Sequence, residues 1–268
     1  MFGNAPKALW SRWMKPDEQN RIQLGTRALL CQEENRNILF EAGIGAFFEP
    51  KLKKRFGVVE EEHVLLSSLK EAGLSPNDID VVVLSHLHFD HAGGLLTGYT
   101  EGEESDLVFK NATIVFSEDA WQRSLNPHPR DKASFIPRLT ELLSQHGNIE
   151  RVSGTSSEVL GKDYPFWISN GHTPGLLCTE IAMPDGPIVF ASDLIPARAW
   201  VHVPITMGYD RFPEGLIDEK KQLLNSLVER KGRLFFTHDL DCATAKVVYE
   251  DKKFQSREEL EDMSSLTQ

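Results

Sequence analysis

Ten residues constrain this chain more than any others: Ser85-His86-Leu87-His88-Phe89-Asp90-His91-Ala92-Gly93-Gly94. Three histidines and one aspartate fall within six positions. Imidazole nitrogen and carboxylate oxygen suit divalent ions such as Zn²⁺. Two histidines at i and i+2 of an extended segment point to one side. The Asp-His pair that follows turns off that segment and faces a second point, so one short loop offers ligands for two adjacent ions. Just ahead lies Ile79-Asp80-Val81-Val82-Val83-Leu84, a nearly continuous apolar run of the kind found in a strand buried on both faces. The bland alternative is a polar loop with chance histidines. With nine histidines in 268 residues, such clustering is improbable by chance.

The length allows one large domain or two small ones, with ample material for a core. The formal charge of −11 argues against nucleic acid as a partner, because affinity for phosphate backbones rests on Lys and Arg. No apolar run approaches the roughly 18 residues of a membrane span, so no membrane partner is expected either. Cys31, Cys178 and Cys242 show no CxxC spacing. A disulfide framework is therefore not expected, the cytoplasm is the natural compartment, and Cys178 reads as a small buried hydrophobe. The first ten residues include Asn4, Pro6 and Lys7 and lack the apolar run of a signal peptide.

Along the chain, residues 21–31 and 37–41 read as strands joined by a hairpin turn at 33–36. Trp10 and Trp13 ahead of them read as packing anchors. Helices are expected over 50–56 and 60–72, with Gly73 as the C-terminal stop. Strands follow at 79–84 and 113–116, then a helix over 118–124. A further apolar stripe at Ile136, Leu139, Leu142 and Leu143 reads as a helix in which Pro137 must occupy the first turn. Strands are expected near 166–170, 177–183 and 187–191, with Asp185-Gly186 as a hairpin turn. Residues 194–212 look irregular. A helix spans 213–231, a strand 233–236, and a last strand 245–249. Strands and helices thus mix throughout, the pattern of a layered α/β domain.

Three further ligand candidates stand where strands end: His172 in Asn170-Gly171-His172-Thr173-Pro174-Gly175, Asp193 after Phe190-Ala191-Ser192, and His238 after Leu234-Phe235-Phe236-Thr237. Each alone has an ordinary reading as a turn residue. Together they follow a strong metal motif, all in the loops where sites gather. This set, His86-x-His88-x-Asp90-His91, then His172, Asp193 and His238, resembles the metallo-β-lactamase-fold hydrolase superfamily over nearly the whole chain. The resemblance implies a single domain, residues 1–268, built as an αββα four-layer sandwich. It implies that His86, His88 and His172 bind one divalent ion, that Asp90, His91 and His238 bind a second, and that Asp193 bridges them. Zn²⁺ is the expected metal, with Mn²⁺, Fe²⁺ and Co²⁺ also compatible. A bridging hydroxide would be the nucleophile, since ions about 3.5–4 Å apart can clamp attacking and leaving oxygens.

Asn20-Arg21-Ile22, Asp193-Leu194-Ile195-Pro196 and Met207-Gly208-Tyr209-Asp210 are similar to the quorum-quenching lactonase and methyl-parathion-hydrolase-like branch. The implied reaction is attack on a lactone or ester carbonyl, with an N-acyl homoserine lactone as first choice of substrate. Phosphotriester hydrolysis and mononuclear-iron persulfide dioxygenase chemistry are the alternatives. Asp90 and Tyr209 are the candidate catalytic residues, Tyr209 through its hydroxyl. Phe47, Phe48, Phe89, Trp200, Met207, Tyr209 and Phe212 are candidates for an acyl pocket, each with core packing as the plainer reading. The family often has Asp where this chain has Glu41, and His where it has Leu176. Asp239 is expected to orient His238 or close a turn. His63, His128, His146 and His202 are expected at surfaces or in satisfied core positions. The expected partner is a small lactone or ester, and a homodimer is a candidate assembly.

Overall fold

The computed structural model describes residues 1–263 and 266. It divides into two compact units, Ala28–Val152 and Met1–Arg27 with the chain from Ser153 onward. Each holds one sheet and one apolar cluster. Helix α1 (Lys7–Trp10) opens the chain. Both expected anchors meet Phe2, Trp10 stacked at 5.4 Å between ring centres and Trp13 tilted at 5.8 Å.

The 28–152 unit carries β1 (Leu29–Gln32), β2 (Asn37–Phe40), β3 (Val81–Val83), β4 (Thr113–Ser117) and β5 (Ile149–Val152), hydrogen-bonded in that order. The β1–β2 hairpin is antiparallel and the other pairs are parallel. Between strands run α2 (Pro50–Phe56), α3 (Val64–Glu71), α4 (Phe89–Ala92), α5 (Glu118–Leu125) and α6 (Pro137–Gln145). Pro137 takes the first helical position, as expected. Ser117 caps α5 by accepting the Ala120 N–H, and Glu118 and Asp119 face the positive end of its dipole. Gly73 follows α3 with φ of 77°, a conformation that favours glycine. Valines 81–83 are all buried, and the metal motif leaves the carboxyl end of β3. That is where open α/β sheets place ligands.

Three expectations differ from the structure over residues 21–152. Residues 21–28 are not strand, because Gly25 and Arg27 spend their N–H groups on the carbonyls of His238 and Thr237. Helix α3 starts at Val64 rather than 60; Glu61, in the bend before it, pairs with Lys53 at 2.8 Å. Strand β5 was not expected, since Ile149-Glu150-Arg151-Val152 is an edge strand with only its last residue buried.

The other unit carries β6 (Phe166–Ser169), β7 (Leu176–Ile181), β8 (Ile188–Phe190), β9 (Arg233–Phe235), β10 (Thr244–Glu250) and β11 (Lys253–Leu260). Their order is β11-β10-β9-β8-β7-β6. Only β8 and β9 run parallel, and helix α7 (Pro213–Glu229) lies in the crossover between them, as a parallel pair requires. Leu216, Leu223, Leu224 and Leu227 of α7 are buried in the apolar cluster with Trp200, Ile205 and Met207, each full burial contributing roughly 1.5–3 kcal/mol. Strand β10 is not the last. A two-residue turn with positive φ at Asp251 and Lys252 returns the chain as β11. Neither turn residue is the glycine that usually signals such a hairpin, and β11 is too polar to show a pattern. Among the described residues no helix is long and apolar enough to cross a membrane.

Candidate metal centre

In the 28–152 unit the chain turns sharply after β3. His86 and His91 are fully buried, His88 nearly so, and Asp90 is partly exposed on α4. His86 Nε2 and His88 Nδ1 lie 3.0 Å apart, close to the spacing of two ligands on one ion with metal–nitrogen bonds of about 2.0–2.1 Å. His86 Nδ1 is held by Ser85 Oγ at 2.8 Å. His91 Nδ1 lies 3.5 Å from Glu41 Oε1, and Asp90 Oδ2 lies 3.8 Å from His91 Nε2. Glu41 follows β2 with φ of 67°, is fully buried, and also accepts the Ser85 N–H at 3.2 Å. Positive φ at a non-glycine residue is strained backbone, which tends to persist at functional sites. Glu41, His86 and His91 bring ligand atoms within 4.8 Å of one another.

The two motif glycines make this turn possible. A Cβ on Gly94 would meet the Ala42 carbonyl oxygen at 2.0 Å, and one on Gly93 would meet that of Ile44 at 2.4 Å. Both residues let the 42–45 loop press onto the motif backbone. His63 is satisfied as expected, its Nε2 at 3.0 Å from the Gly94 carbonyl, and His146 Nε2 lies 3.1 Å from that of Ala112.

In the other unit, His172, Asp193 and His238 meet. Asp193 Oδ2 lies 3.1 Å from His172 Nε2 and its Oδ1 lies 3.0 Å from His238 Nε2. One carboxylate thus offers one oxygen towards each imidazole, the disposition of a bridging ligand. Ser192 before it has φ of 45°. His172 Nδ1 is held by Asp210 Oδ1 at 2.9 Å, and Asp210 Oδ2 accepts the Met207 N–H at 2.6 Å. His238 Nδ1 lies 2.6 Å from the Gly25 carbonyl. Arg27 Nη1 donates to the carbonyls of Phe236 and Asp239 at 2.9 and 2.7 Å, bracketing the His238 turn. Burial lowers the pKa of this guanidinium.

Asp239 pairs with Arg198 rather than with His238, at 2.9 Å to both Nε and Nη2, and closes its own turn through the Asp241 N–H. Those hydrogen bonds raise the Arg198 pKa. Helix α7 supports the His172 turn through Glu219, which accepts from Ser169 Oγ at 2.6 Å and from the N–H groups of Asn170 and Gly171 at 2.9 and 3.2 Å. At the next position, Lys220 is fully buried and donates to the Ile205 carbonyl at 2.8 Å. Burial pushes its pKa down to about 7, against a smaller raising effect of Asp210.

Every expected ligand therefore stands in one of two clusters, four in one unit and three in the other, all buried but Asp90. The donors are imidazole and carboxylate, and the Nδ1 atoms of His86, His91, His172 and His238 each face an orienting group. That fits a divalent ion, because such outer partners fix the ring tautomer and aim the other nitrogen. Glu41, Asp210, Glu219 and Lys220 were not expected to serve the site. Asp210 ends the Met207-Gly208-Tyr209-Asp210 stretch, but its contact with His172 joins positions far apart in sequence. Of the pocket candidates, Trp200 and Met207 are buried in the core, whereas Tyr209 is 60% and Phe212 57% exposed. Phe48 packs against Phe47, Phe56 and Phe89 at 4.2, 5.1 and 5.4 Å. It also lines a cavity of about 460 Å³ whose other lining includes the charged side chains Lys53, Lys54, Glu60 and Glu61.

Two mixed sheets whose strand ends carry clustered histidines and carboxylates define a metal-binding α/β protein. The chain belongs to the metallo-β-lactamase superfamily, whose family model matches residues 23–238, and it is a metal-dependent hydrolase with that fold. It is 26% identical over 200 residues to an N-acyl homoserine lactonase of Bacillus thuringiensis, a match spanning 74% of this chain and 69% of that protein. A probable metal-dependent hydrolase from Staphylococcus aureus is similar in structure, with a TM-score of 0.84 and 29% identity over 97% of this chain and 92% of that one. AidC, a dizinc quorum-quenching lactonase, shares the fold with a TM-score of 0.70 at 24% identity, over 87% of this chain and 79% of the other.

Proposed function

We propose that the chain hydrolyses lactones at a dinuclear centre held by His86, His88, Asp90, His91, His172, Asp193 and His238, with N-acyl homoserine lactones as the preferred class. The observation that carries this reading is Asp193, whose two oxygens each face a different histidine. Relatives named as N-acyl homoserine lactonases support the substrate class. Two divalent ions, zinc as first choice, would supply a water-derived nucleophile at neutral pH and polarise the substrate carbonyl. The chain's own part is orientation. Ser85, Glu41, Asp210 and the Gly25 carbonyl hold one nitrogen of each of four imidazoles and so aim the other. Asp90 stands beside His91 and shares the second ion. It would also take a proton from the attacking water and pass it to the leaving alkoxide oxygen as the ring opens. Tyr209 would position the substrate carbonyl with its hydroxyl. The product is the ring-opened hydroxy acid, formed by adding one water across the ester bond. The enzyme would work in the cytoplasm.

Elemental analysis of the purified chain should find about two ions per chain. A panel of homoserine lactones of graded acyl length, simple esters and a paraoxon-like phosphotriester should show lactones turned over fastest. His172→Ala and Asp193→Asn should abolish that activity. A metal-replete protein that opens no lactone of any length would sink the substrate claim, and faster phosphotriester cleavage would replace it.

A further inference from the structure

Helix α7 buries one face through Leu216, Leu223, Leu224 and Leu227. At helical spacing the stripe has a gap of one turn, and Lys220 fills it. Its relative exposure is 0%. A lysine is almost never fully buried unless paired, yet among the described interactions Lys220 has no carboxylate ion pair. Its Nζ donates to two backbone carbonyls, Ile205 at 2.8 Å and His202 at 3.3 Å. Desolvation of this amine is costly, and an apolar side chain would complete the stripe without that cost.

Those carbonyls belong to the 194–212 segment, just past a 3₁₀ turn at Arg198–Val201. The segment leads straight to the candidate centre. Two residues past Ile205, the Met207 N–H bonds to Asp210 Oδ2, and Asp210 Oδ1 grips His172 Nδ1. The Arg211 and Phe212 N–H groups then bond to the carbonyls of His172 and Gly171 at 3.2 and 2.8 Å. The segment is also held by chain residues 3 and 4: the Gly3 N–H reaches the Thr206 carbonyl, and the Asn4 side chain reaches Pro204 and Thr206. Lys220 holds the stretch just before Thr206 from the side of the apolar cluster. Neighbouring Glu219 ties down residues 169–171 on the other arm of the same contact. One turn of α7 therefore fixes both partners of the His172–Asp210 pair.

We propose that Lys220 is a positioning residue for the metal centre: its buried amine clamps the 202–205 backbone and so sets, through Asp210, the aim of the His172 ring. The proposal rests on His172 being a metal ligand, as in the function proposed above, but not on the identity of the substrate. It separates two roles that usually travel together. If Lys220 positions the site, removing its amine loosens the site while the core keeps or gains stability, because a buried polar group has been replaced by an apolar one of similar length.

The test uses the full chain, Lys220→Met and Lys220→Gln, with three readouts: thermal midpoint, amide hydrogen exchange resolved over residues 202–212, and zinc affinity by competition with a chromogenic chelator. Lys220→Met is expected to melt no lower than the parent. Its exchange over 202–212 should rise about tenfold or more relative to α7, and its zinc affinity should fall about 10- to 100-fold, the range for lost outer partners. Lys220→Gln, which keeps a donor, should fall between. Unchanged exchange and affinity would overturn the proposal. So would a uniform rise in exchange with a lower melting point, or failure of both variants to fold, since either marks an ordinary core residue. A parent chain that opens no lactone leaves these readouts intact and counts only against the proposed substrate. A parent that takes up no zinc removes the centre itself, and with it this role.

Discussion

At the scale of single residues, the site is a set of aimed rings. An imidazole can coordinate through either nitrogen, and what occupies the other decides which. Asp210 performs that task for His172 at 2.9 Å. Asp210→Asn keeps an acceptor for Met207 but removes the negative charge facing Nδ1. Zinc affinity and kcat/KM for a lactone should each fall roughly 10- to 100-fold, with little change in melting point; an unaltered affinity would show that the carboxylate does not act through the ring. Tyr209→Phe is expected to behave differently. Under the proposed function it should lower kcat/KM about tenfold while leaving metal content at the parent value, because its hydroxyl addresses substrate and not metal. Asp239 shows how adjacency misleads. It follows His238 in sequence, yet its oxygens bond to Arg198, and a backbone carbonyl from Gly25 orients the histidine instead.

At the scale of elements, α7 carries more than a leucine stripe. Its Lys220 pKa is depressed from 10.5 to about 7 by burial. Between those values the unfolded chain holds a proton that the folded chain has released, so ν_U exceeds ν_N and stability rises with pH through that window. Below about pH 7 both states are protonated and the cost of burying the charge is fully present. The gap in stability between Lys220→Met and the parent should therefore shrink with rising pH, on the order of 1 kcal/mol per pH unit across the window. Urea unfolding at about pH 6 and about pH 9 measures it; a constant gap would mean an unshifted lysine. The same element explains partial legibility. Four leucines at helical spacing announce the helix and its buried face, but the lysine among them reads as an exposed break until its acceptors, the carbonyls of His202 and Ile205, are seen. Strands β5 and β11 were invisible for a related reason. Both are edge strands with mixed or polar composition, and pairing decides them more than side-chain pattern does.

At the scale of the whole molecule, each compact unit brings its own cluster of candidate ligands, His86, His88, Asp90 and His91 in one and His172, Asp193 and His238 in the other. If the proposed centre forms, metal binds the folded chain far better than the unfolded one and stabilises it by mass action. Stripping with a strong chelator should lower the melting point by several degrees, zinc should restore it, and Asp193→Asn should lose most of that recovery. Coincident melting curves with and without zinc would show that the seven residues do not act as one centre.

The local sequence determined the motif, its placement after an apolar strand, the seven candidate ligands and the family they point to. These are properties of short stretches, where residue type and spacing carry the chemistry. The tertiary structure alone decided what surrounds those ligands: Glu41 beside His91, Asp210 beside His172, Gly25 beside His238, and Lys220 beneath the 202–205 backbone. Each joins residues distant along the chain, at least 15 positions apart in the closest case, Lys220 with Ile205. No local pattern encodes such a pair, because a hydrogen bond depends on where two backbones are brought together and not on what lies between them.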